Sequence, residues 1–322
     1  MKIRASLGTL AILRKANVRM DDPPTLAYLM QYSENGCEAS CKFCTQSRTS
    51  SATKDFLSRV LWPEAELSEV VEGLKESSFR RVCLQTVIKK GFVEEALDIV
   101  REIHEETGLN ISLSITPITT NTLRKFKAYG MDYLGVGLDA ASPRVLKEVL
   151  KPYSWSEYMD FIRRGIDVLG SRHVVTHIIV GLGETPHELI TTLETLRSMG
   201  SDISLFAFTP MKGTALEGRP PPEMSYYRFA QLATYLLMRG YETTDFLISR
   251  DGKPYIKKEF LIREFRSIRN LFPAFLTRGC PYCNRPYYTE APGKEPYNFP
   301  SFSSLTRVSE DILLRELDEI IA

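Results

Sequence analysis

The sequence lacks several features that would point to a class of protein at once. Its 322 residues contain 41 Lys and Arg against 40 Asp and Glu, so the formal net charge is only +1. Such a balance, without a basic stripe or an acidic tail, argues against a nucleic-acid-binding protein. No apolar run reaches the ~18 residues that a membrane-spanning helix needs, and the first 20 residues do not resemble a signal peptide. We therefore expect a cytoplasmic protein that binds neither nucleic acid nor membranes.

Histidine is scarce, with four residues, and the six cysteines are unevenly placed. Three disulfides would account for six cysteines, but that arrangement is typical of short exported chains. Five of the six lie in two tight groups, at residues 37–44 and 280–283. Clustered cysteines in a reducing compartment more often hold metal, and we give the histidines no catalytic role.

Short β-branched runs alternate with longer amphipathic stretches, which predicts βα units around a parallel sheet. We predict an α/β fold, a complete or partial (β/α)8 barrel of the TIM type, with residues 25–277 forming the barrel. Residues 1–24 are predicted to form a helical lead-in, and residues 278–322 a strap with a terminal helix at residues 309–321. The eight predicted strands are residues 25–32, 80–84, 110–115, 133–137, 174–180, 202–208, 243–248 and 274–277. Ser142-Pro143 and Thr185-Pro186 each predict a helix start just after a strand.

The first cysteine group lies in residues 36–47, which read GCEASCKFCTQS. Cys37, Cys41 and Cys44 have the spacing C-x3-C-x2-C and follow the first predicted strand. Three thiolates would leave one iron of a [4Fe–4S] cluster open, and that iron can chelate S-adenosylmethionine and support release of a 5′-deoxyadenosyl radical. Phe43 would supply an apolar wall. The alternative is structural zinc, which prefers four ligands in two pairs.

The other three cysteines are far apart in the sequence. Cys83 is predicted at the end of the second strand, and Cys280 and Cys283 form a C-x2-C pair after the last one. A lone cysteine is usually a small hydrophobe, and one C-x2-C pair is half of a zinc site or a redox pair. If all three face one end of the barrel, they can hold a second iron–sulfur cluster. Residues 278–300 are too rich in proline for a helix or a central strand, and we predict a strap that closes the mouth of the barrel.

The cysteine triad and its position resemble those of the radical SAM superfamily, and residues 37–47 are similar to the cluster loop of biotin synthase. Three further segments resemble the same family: RVCL at 81–84, GMDYLGVGLDAASP at 130–143 and HIIVGLGET at 177–185. In biotin synthase three interior strands carry cysteines for a second cluster. Here only Cys83 matches, since Ser112 and Val175 stand at the other two positions.

The resemblance also implies residues for S-adenosylmethionine. Asp139 would bind the ribose hydroxyls, although it could instead cap the following helix. Gly181 and Gly183 would let the backbone approach the adenine, with Glu184 accepting a hydrogen bond, although a plain βα turn explains the same glycines. Gln85 is placed near the methionyl group.

The strap together with the biotin-synthase-like barrel resembles one component of the two-protein, archaeal-type lipoyl synthase. That resemblance implies two [4Fe–4S] clusters and sulfur insertion at C6 or C8 of an octanoyl chain on a lysine of a carrier protein, a lipoyl domain or an H-protein. It also implies a paralogous radical SAM partner and an external electron donor. Cys83, Cys280 and Cys283 would hold the auxiliary cluster that donates sulfur. Its fourth ligand would be Ser112, Arg278 or Arg285, although a strand hydroxyl bonded to backbone explains Ser112 better.

Three alternatives remain open from the sequence. One is another radical SAM reaction with an auxiliary cluster, such as biotin synthesis or methylthiolation. The second is an iron–sulfur protein that transfers electrons or carries clusters without acting on a substrate. The third is a binding module stabilised by zinc.

Overall fold

The computed structural model describes residues 1–250, 253–288, 295–307 and 310–322. Its strands are β1 Lys2–Ala5, β2 Ala27–Gln31, β3 Phe56–Leu57, β4 Val60–Leu61, β5 Glu64–Glu66, β6 Val82–Gln85, β7 Ile111–Ser114, β8 Met131–Asp139, β9 Val174–Val180, β10 Asp202–Ala207, β11 Leu247–Arg250 and β12 Lys253–Ile256. Its helices are α1 Leu7–Ile12, α2 Leu67–Lys75, α3 Phe92–Thr107, α4 Thr120–Ala128, α5 Pro143–Glu148, α6 Trp155–Leu169, α7 Pro186–Met199, α8 Met224–Met238, α9 Thr243–Phe246, α10 Lys258–Glu264, α11 Phe302–Arg307 and α12 Glu310–Asp318, with a 3-10 helix at Ile268–Phe275. Among the described helices none is long and apolar enough to cross a membrane.

The main sheet has eight strands in the order β10-β9-β8-β7-β6-β2-β1-β5. The six from β2 to β10 pair in parallel, and helices connect them, as βα units require. β1 pairs antiparallel with both β2 and β5. In the described part of the chain β10 and β5 are the two edges, so the sheet is that of a partial barrel.

Side chains alternate along the parallel strands, so one face of the sheet packs against the helices and the other faces the barrel interior. Leu29, Leu84 and Leu113 are register partners on β2, β6 and β7, and they are buried in the main core under the helices. The preceding partners, Tyr28 and Cys83, are on the other face with Ser112. The sheet therefore presents one row of polar and sulfur-bearing groups to its interior.

The helix starts after β8 and β9 confirm the predicted N-caps. The Ser142 side chain accepts from the Val145 amide, with Pro143 as the first helical residue. Thr185 does the same for Glu188, whose carboxylate accepts from the Thr185 amide in a reciprocal capping box. Both helices begin just after the carboxyl end of a strand.

The seventh and eighth predicted strands are wrong. Residues 243–246 form α9, held by a capping box between Glu242 and Asp245, and β11 pairs antiparallel with β12 instead of extending the main sheet. Residues 274–277 begin at the end of the 3-10 helix, and only Leu276 forms a β-bridge, with Phe299. Short apolar runs are compatible with a strand or with a helical turn, and at residues 243–246 the capping box stabilises the turn.

The strap lies at the opposite end of the barrel from the one predicted. The Asn284 side chain donates to the Pro23 carbonyl and accepts from the Thr25 amide, both just before β2. Residues 277–283 lie against Asp202, the first residue of β10. The strap therefore covers the amino ends of the parallel strands, and the prediction that it closes the mouth at their carboxyl ends is wrong. Residues 289–294 of the predicted strap and the predicted start of the terminal helix, Ser309, lie outside the described residues.

The first 24 residues also differ from the predicted helical lead-in. They contain the sheet strand β1 and a helix of only six residues, α1. Arg4 is buried and pairs with Asp55, so β1 is fixed between β2 and the residue 55–66 segment. The boundary at residue 25 stays a prediction, but the main sheet begins at Lys2.

Candidate functional site

A cavity of about 270 Å³ occupies the interior of the parallel sheet, and we call it the central cavity. Residues from all six parallel strands and from the strap line it. In its lining Gly135 allows a close approach of Ser114, because a Cβ there would lie 2.4 Å from the Ser114 hydroxyl. Cys44 lines the cavity near the carboxyl ends of the strands, and Cys83, Cys280 and Cys283 line it near the amino ends.

Residues 36–47, the cysteine loop, are held by backbone and side-chain hydrogen bonds. The Cys37 amide donates to the Gln46 carbonyl at 2.6 Å, and the Gln46 side chain donates to the carbonyls of Lys54 and Phe56. Lys54 donates to three carbonyls in and after the loop, those of residues 45, 47 and 50. These hydrogen bonds fix the conformation of the loop that carries all three cysteines.

The donor set of the cysteine loop fits an iron–sulfur cluster. Burial raises the pKa of Cys44 to about 12 and also raises that of Cys41, so the isolated thiols stay protonated and a bound metal cation would favour the thiolates. In the described part of the chain no three His, Cys, Asp or Glu side chains converge on a single metal ion. In a [4Fe–4S] cluster each thiolate binds its own iron, so the three sulfurs need not meet at one point.

Asp139 and Lys151 form a buried ion pair beside the cysteine loop. The Lys151 Nζ donates to Asp139 Oδ2 at 2.6 Å, the two side chains are 8% and 15% exposed, and both line the cavity. Burial opposes the charge on Lys151, but Asp139 and the nearby Cys41 outweigh it and raise the Lys151 pKa. The alternative role of Asp139 as a helix cap is wrong, because Ser142 caps α5.

Cys83, Cys280 and Cys283, which we call the floor cysteines, come together from distant parts of the chain. Tyr28 Oη lies 3.7 Å from Cys283 Sγ and accepts from the Arg285 amide, which attaches the strap to β2. Gln85 donates to Cys83 Sγ at 3.1 Å, so this residue faces the floor instead of the predicted methionyl group. Cys83 is the second residue of β6, so its predicted place at the end of that strand is wrong.

The floor cysteines are electrostatically distinct from one another. Hydrogen bonding from Cys280 lowers the pKa of Cys283 to about 6, with further support from Arg285 and Tyr28. Burial raises the pKa of Cys83 to about 12. The pair therefore holds one thiolate readily, and a metal ion would be needed to ionise all three thiols together.

The candidates for a fourth ligand at the floor differ in position. Ser112 lies beside Cys280 and accepts from the buried Arg81, whose guanidinium pairs with Asp132. Arg285 lines the cavity with its guanidinium over the Phe206 ring, whereas Arg278 is absent from the lining residues. Ser112 and Arg285 therefore remain candidates on geometry.

The glycine segment after β9 is not brought to the central cavity. Gly181, Gly183 and Glu184 are absent from its lining residues. A Cβ at Gly181 would lie 2.9 Å from Pro222, and Glu184 accepts from the Gly181 amide at 2.7 Å. These residues build the turn and pack against the loop that follows β10, and their part in binding adenine stays a prediction.

Several cavity residues were not assigned a role from the sequence. Lys151, Tyr28 and Tyr288 line the cavity, and so does His177, for which we expected no catalytic role. Burial lowers the His177 pKa to about 4, so its imidazole is neutral near pH 7. Strand parity could have found Tyr28 and His177, since Tyr28 is the register partner of Cys83 and His177 lies two residues after Val175 on the same face of β9.

Comparison with known proteins places these features in a family. Residues 33–196 match the model of the Radical SAM superfamily. The chain is 27% identical over 194 residues to a biotin synthase from Persephonella marina, covering 59% of this chain and 56% of that protein. It is 24% identical over 221 residues to the biotin synthase of Cenarchaeum symbiosum, covering 66% and 67%. The match thus spans little more than half of the Persephonella protein.

Solved structures share the fold at lower identity. Methylornithine synthase superposes with a TM-score of 0.54 at 20% identity, covering 67% of this chain and 63% of that one. The FeFe-hydrogenase maturase HydG from Carboxydothermus hydrogenoformans gives 0.52 at 17%, covering 66% and 52%. The family model spans half of the chain, including the cysteine loop and Asp139. The chain therefore belongs to the radical SAM superfamily, a membership that implies a [4Fe–4S] cluster and S-adenosylmethionine as cofactors.

Proposed function

We propose that this protein is a radical SAM sulfur-insertion enzyme that adds sulfur to a protein-bound octanoyl chain, as one component of a two-protein lipoyl synthase. One observation carries the proposal: Cys44, from the loop with three cysteines, lines one end of the cavity, and Cys83, Cys280 and Cys283 line the other. A radical generator needs only the first set. The second set is needed if a sulfur source must be held close to the substrate carbon while that carbon is shielded from water.

The residues at the carboxyl end of the cavity bind the radical-generating cofactors. Cys37, Cys41 and Cys44 hold the cluster, which with S-adenosylmethionine supplies a 5′-deoxyadenosyl radical when bound. Asp139 is placed to accept from the ribose hydroxyls, and Lys151 fixes the orientation of its carboxylate. Phe43 covers the cofactor side, with the Lys151 ammonium 5.9 Å from its ring.

The residues between the two ends suit an alkyl chain. Ile115, Val175, Ile179 and Phe208 contribute apolar walls to the cavity. His177 is neutral there and packs edge-on against Phe206, with ring centroids 5.3 Å apart. An unactivated carbon of such a chain offers no leaving group, so the sulfur must be held close to it, and exclusion of water protects a carbon radical.

The floor cysteines would hold the sulfur source. Cys83, Cys280 and Cys283 offer three soft thiolate ligands for an auxiliary iron–sulfur cluster, and Ser112 or Arg285 would complete the set. Sulfur from that end of the cavity would replace a hydrogen at C6 or C8 of the chain. The 5′-deoxyadenosyl radical would take that hydrogen atom and become 5′-deoxyadenosine, and the auxiliary cluster would take up the electron left when the C–S bond forms.

The partners and compartment form part of the proposal. We propose an octanoyl-lysine carrier protein as substrate, a paralogous radical SAM protein for the other carbon and an external electron donor, all in the cytoplasm.

Biotin synthesis is the second candidate, because the curated relatives named above are biotin synthases. The floor argues against it. On β7 and β9 the interior positions are Ser112 and Val175, and a valine cannot bind iron. The thiols that replace them come from the strap, whose path through the cavity floor would change the shape offered to a bicyclic product.

Anaerobic turnover of the reconstituted protein tests both candidates. The substrates are an octanoyl-lysine peptide, a mercaptooctanoyl-lysine peptide and dethiobiotin, with product mass as the readout. We expect sulfur in one of the two peptides and none in dethiobiotin. Sulfur only in dethiobiotin would establish the second candidate, and cleavage of S-adenosylmethionine without sulfur in any product would leave neither. An electron-transfer protein would not cleave S-adenosylmethionine at all.

A further inference from the structure

A second cavity of about 370 Å³ lies beside the central one, and we call it the side channel. The N-terminal segment forms one wall, the hairpin of β3 and β4 a second and residues 285–288 of the strap a third. Val18 and Tyr287 in its lining are 38% and 44% exposed, so the channel reaches the surface.

The side channel adjoins the central cavity. Tyr28, Trp62, Arg285 and Tyr288 line both spaces and form part of the wall between them. Tyr28 and Arg285 are also the residues that support Cys283 at the floor. A molecule that passes these side chains from the side channel would enter the central cavity beside the floor cysteines.

The walls of the side channel are apolar, with one unmet hydrogen-bond donor. Leu7, Val60, Leu61 and Met20 supply apolar surface. Trp62 is 1% exposed, and its Nε1 has no hydrogen-bond partner in the described part of the chain. An unmet buried donor is costly, and a small movement of the Trp62 ring toward a carbonyl in the adjoining side channel would satisfy it.

The rim of the channel is cationic. Arg19 and Arg59 are both exposed lining residues, and neither makes an ion pair or hydrogen bond with the described residues. Among the residues that the structure describes, no Asp or Glu lines the channel. This distribution suits a partner that presents carboxylates around the point of entry.

Resting on the proposed function, we infer that the side channel admits the acylated lysine of the carrier protein, with the Trp62 indole donating to the amide carbonyl and Arg19 and Arg59 meeting acidic residues of the carrier. The acyl chain then extends past Tyr28 and Tyr288 into the central cavity. A lysine-linked chain needs an open, narrow side entrance, because the carrier protein itself is too large to enter.

Plugging the channel from two walls tests the inference. In the reconstituted protein, Val60→Trp and Leu7→Trp should each weaken binding of an octanoyl-lysine peptide at least tenfold by calorimetry. Deoxyadenosine formed without substrate should stay within twofold of the unmodified protein, which shows that the barrel and its cluster are intact. Ile262→Trp, at a surface position outside both cavities, is the matched control. Unchanged binding in both plugged variants would overturn the inference.

The amide contact has its own test. Trp62→Phe keeps an aromatic ring and removes the N–H, so affinity for the octanoyl-lysine peptide should fall about threefold to tenfold. Affinity for an all-carbon analogue of the same length, without the amide, should not fall. An equal loss for both probes would mean that Trp62 acts by packing alone and would overturn the carbonyl assignment.

The rim and the occupant are tested with peptide probes. Arg19→Glu and Arg59→Glu should weaken an octanoyl-lysine peptide with acidic flanks and leave one with uncharged flanks unchanged. Free octanoate that binds as tightly as the peptide, and that is excluded by Val60→Trp, would show a fatty-acid site instead of a lysine entrance. Peptide binding that Val60→Trp abolishes, with no sulfur in the product, would support the channel and refute the proposed sulfur chemistry. Sulfur insertion that Val60→Trp and Leu7→Trp leave unchanged would support the proposed sulfur chemistry and refute the channel.

Discussion

The loop at the carboxyl end of the central cavity and the floor each have three cysteines. The first three are close in the sequence, whereas the second three come from distant parts of the chain. At the carboxyl end Cys37, Cys41 and Cys44 lie within eight residues, in a loop whose own backbone and Gln46 hold its shape. At the floor one cysteine lies on β6, and two arrive on the strap about 200 residues later in the chain. The first set depends on local structure and the second on the whole fold. Under the proposed function, this difference would separate the generation of a radical from the step that follows it.

The largest effect that tests this separation is expected at the cysteine loop. Cys41→Ala should abolish deoxyadenosine formation and sulfur insertion together, because a cluster with two remaining thiolates is not held. Iron content should fall by about half in the reconstituted protein if the floor cysteines hold the other cluster. Retained S-adenosylmethionine cleavage would contradict the role of the loop. The matched control is Ser40→Ala, at the neighbouring position in the same loop.

Cys83→Ala is the counterpart at the floor. We expect sulfur insertion to vanish while deoxyadenosine is still formed, since the radical-generating residues lie at the other end of the cavity. Iron analysis should again show a loss of about half. Normal sulfur insertion in this variant would refute the sulfur-donor role of the floor, and loss of deoxyadenosine as well would show that the two ends are not separable. Gln85→Ala, which keeps the thiol and removes its hydrogen bond, is the control.

The ion pair at the carboxyl end predicts a smaller effect, on stability. Lys151→Met leaves the Asp139 carboxylate buried without its partner, which costs about 3–5 kcal/mol of the free energy of unfolding. The double variant with Asp139→Asn should recover most of that loss, because no uncompensated charge remains. Anaerobic urea denaturation measures both. Equal losses in the single and double variants would show that packing of the lysine stem, and not the charge, stabilises this end.

The residues readable from the sequence are those whose neighbours are also near in the chain. The cysteine loop, the Ser142 and Thr185 caps and the six parallel strands all rest on spacing or local periodicity. Asp139 was selected through resemblance, and its partner Lys151 was not found. Lys151 follows a short helix whose length places it back over the strand end, and no periodic pattern marks such a contact.

The floor could not be placed from the sequence for a physical reason. Its cysteines were identified, but the end of the barrel to which they belong depends on where the strap crosses the sheet. That path is fixed by long-range contacts, such as Asn284 with residues before β2 and Tyr28 with Arg285. With residues 243–248 and 274–277 predicted as barrel strands, the strap was expected at the carboxyl ends of the parallel strands instead of at their amino ends. The side channel depends on the same contacts and has no signal of its own in the sequence.

His177 lies between the two ends and gives the smallest predicted effect. Burial, with a contribution from Arg285, lowers its pKa from 6.5 to about 4. Between those values the unfolded chain binds a proton that the folded chain does not, so the free energy of unfolding falls as the pH falls from 6.5 to 4. The loss should be about 1–3 kcal/mol, measured by urea denaturation across this range. His177→Gln should flatten that part of the profile, whereas the exposed His187→Gln should leave it unchanged. An unaltered slope in His177→Gln would mean that the middle of the cavity admits enough water to charge the imidazole, which would remove the dry passage that separates the two ends.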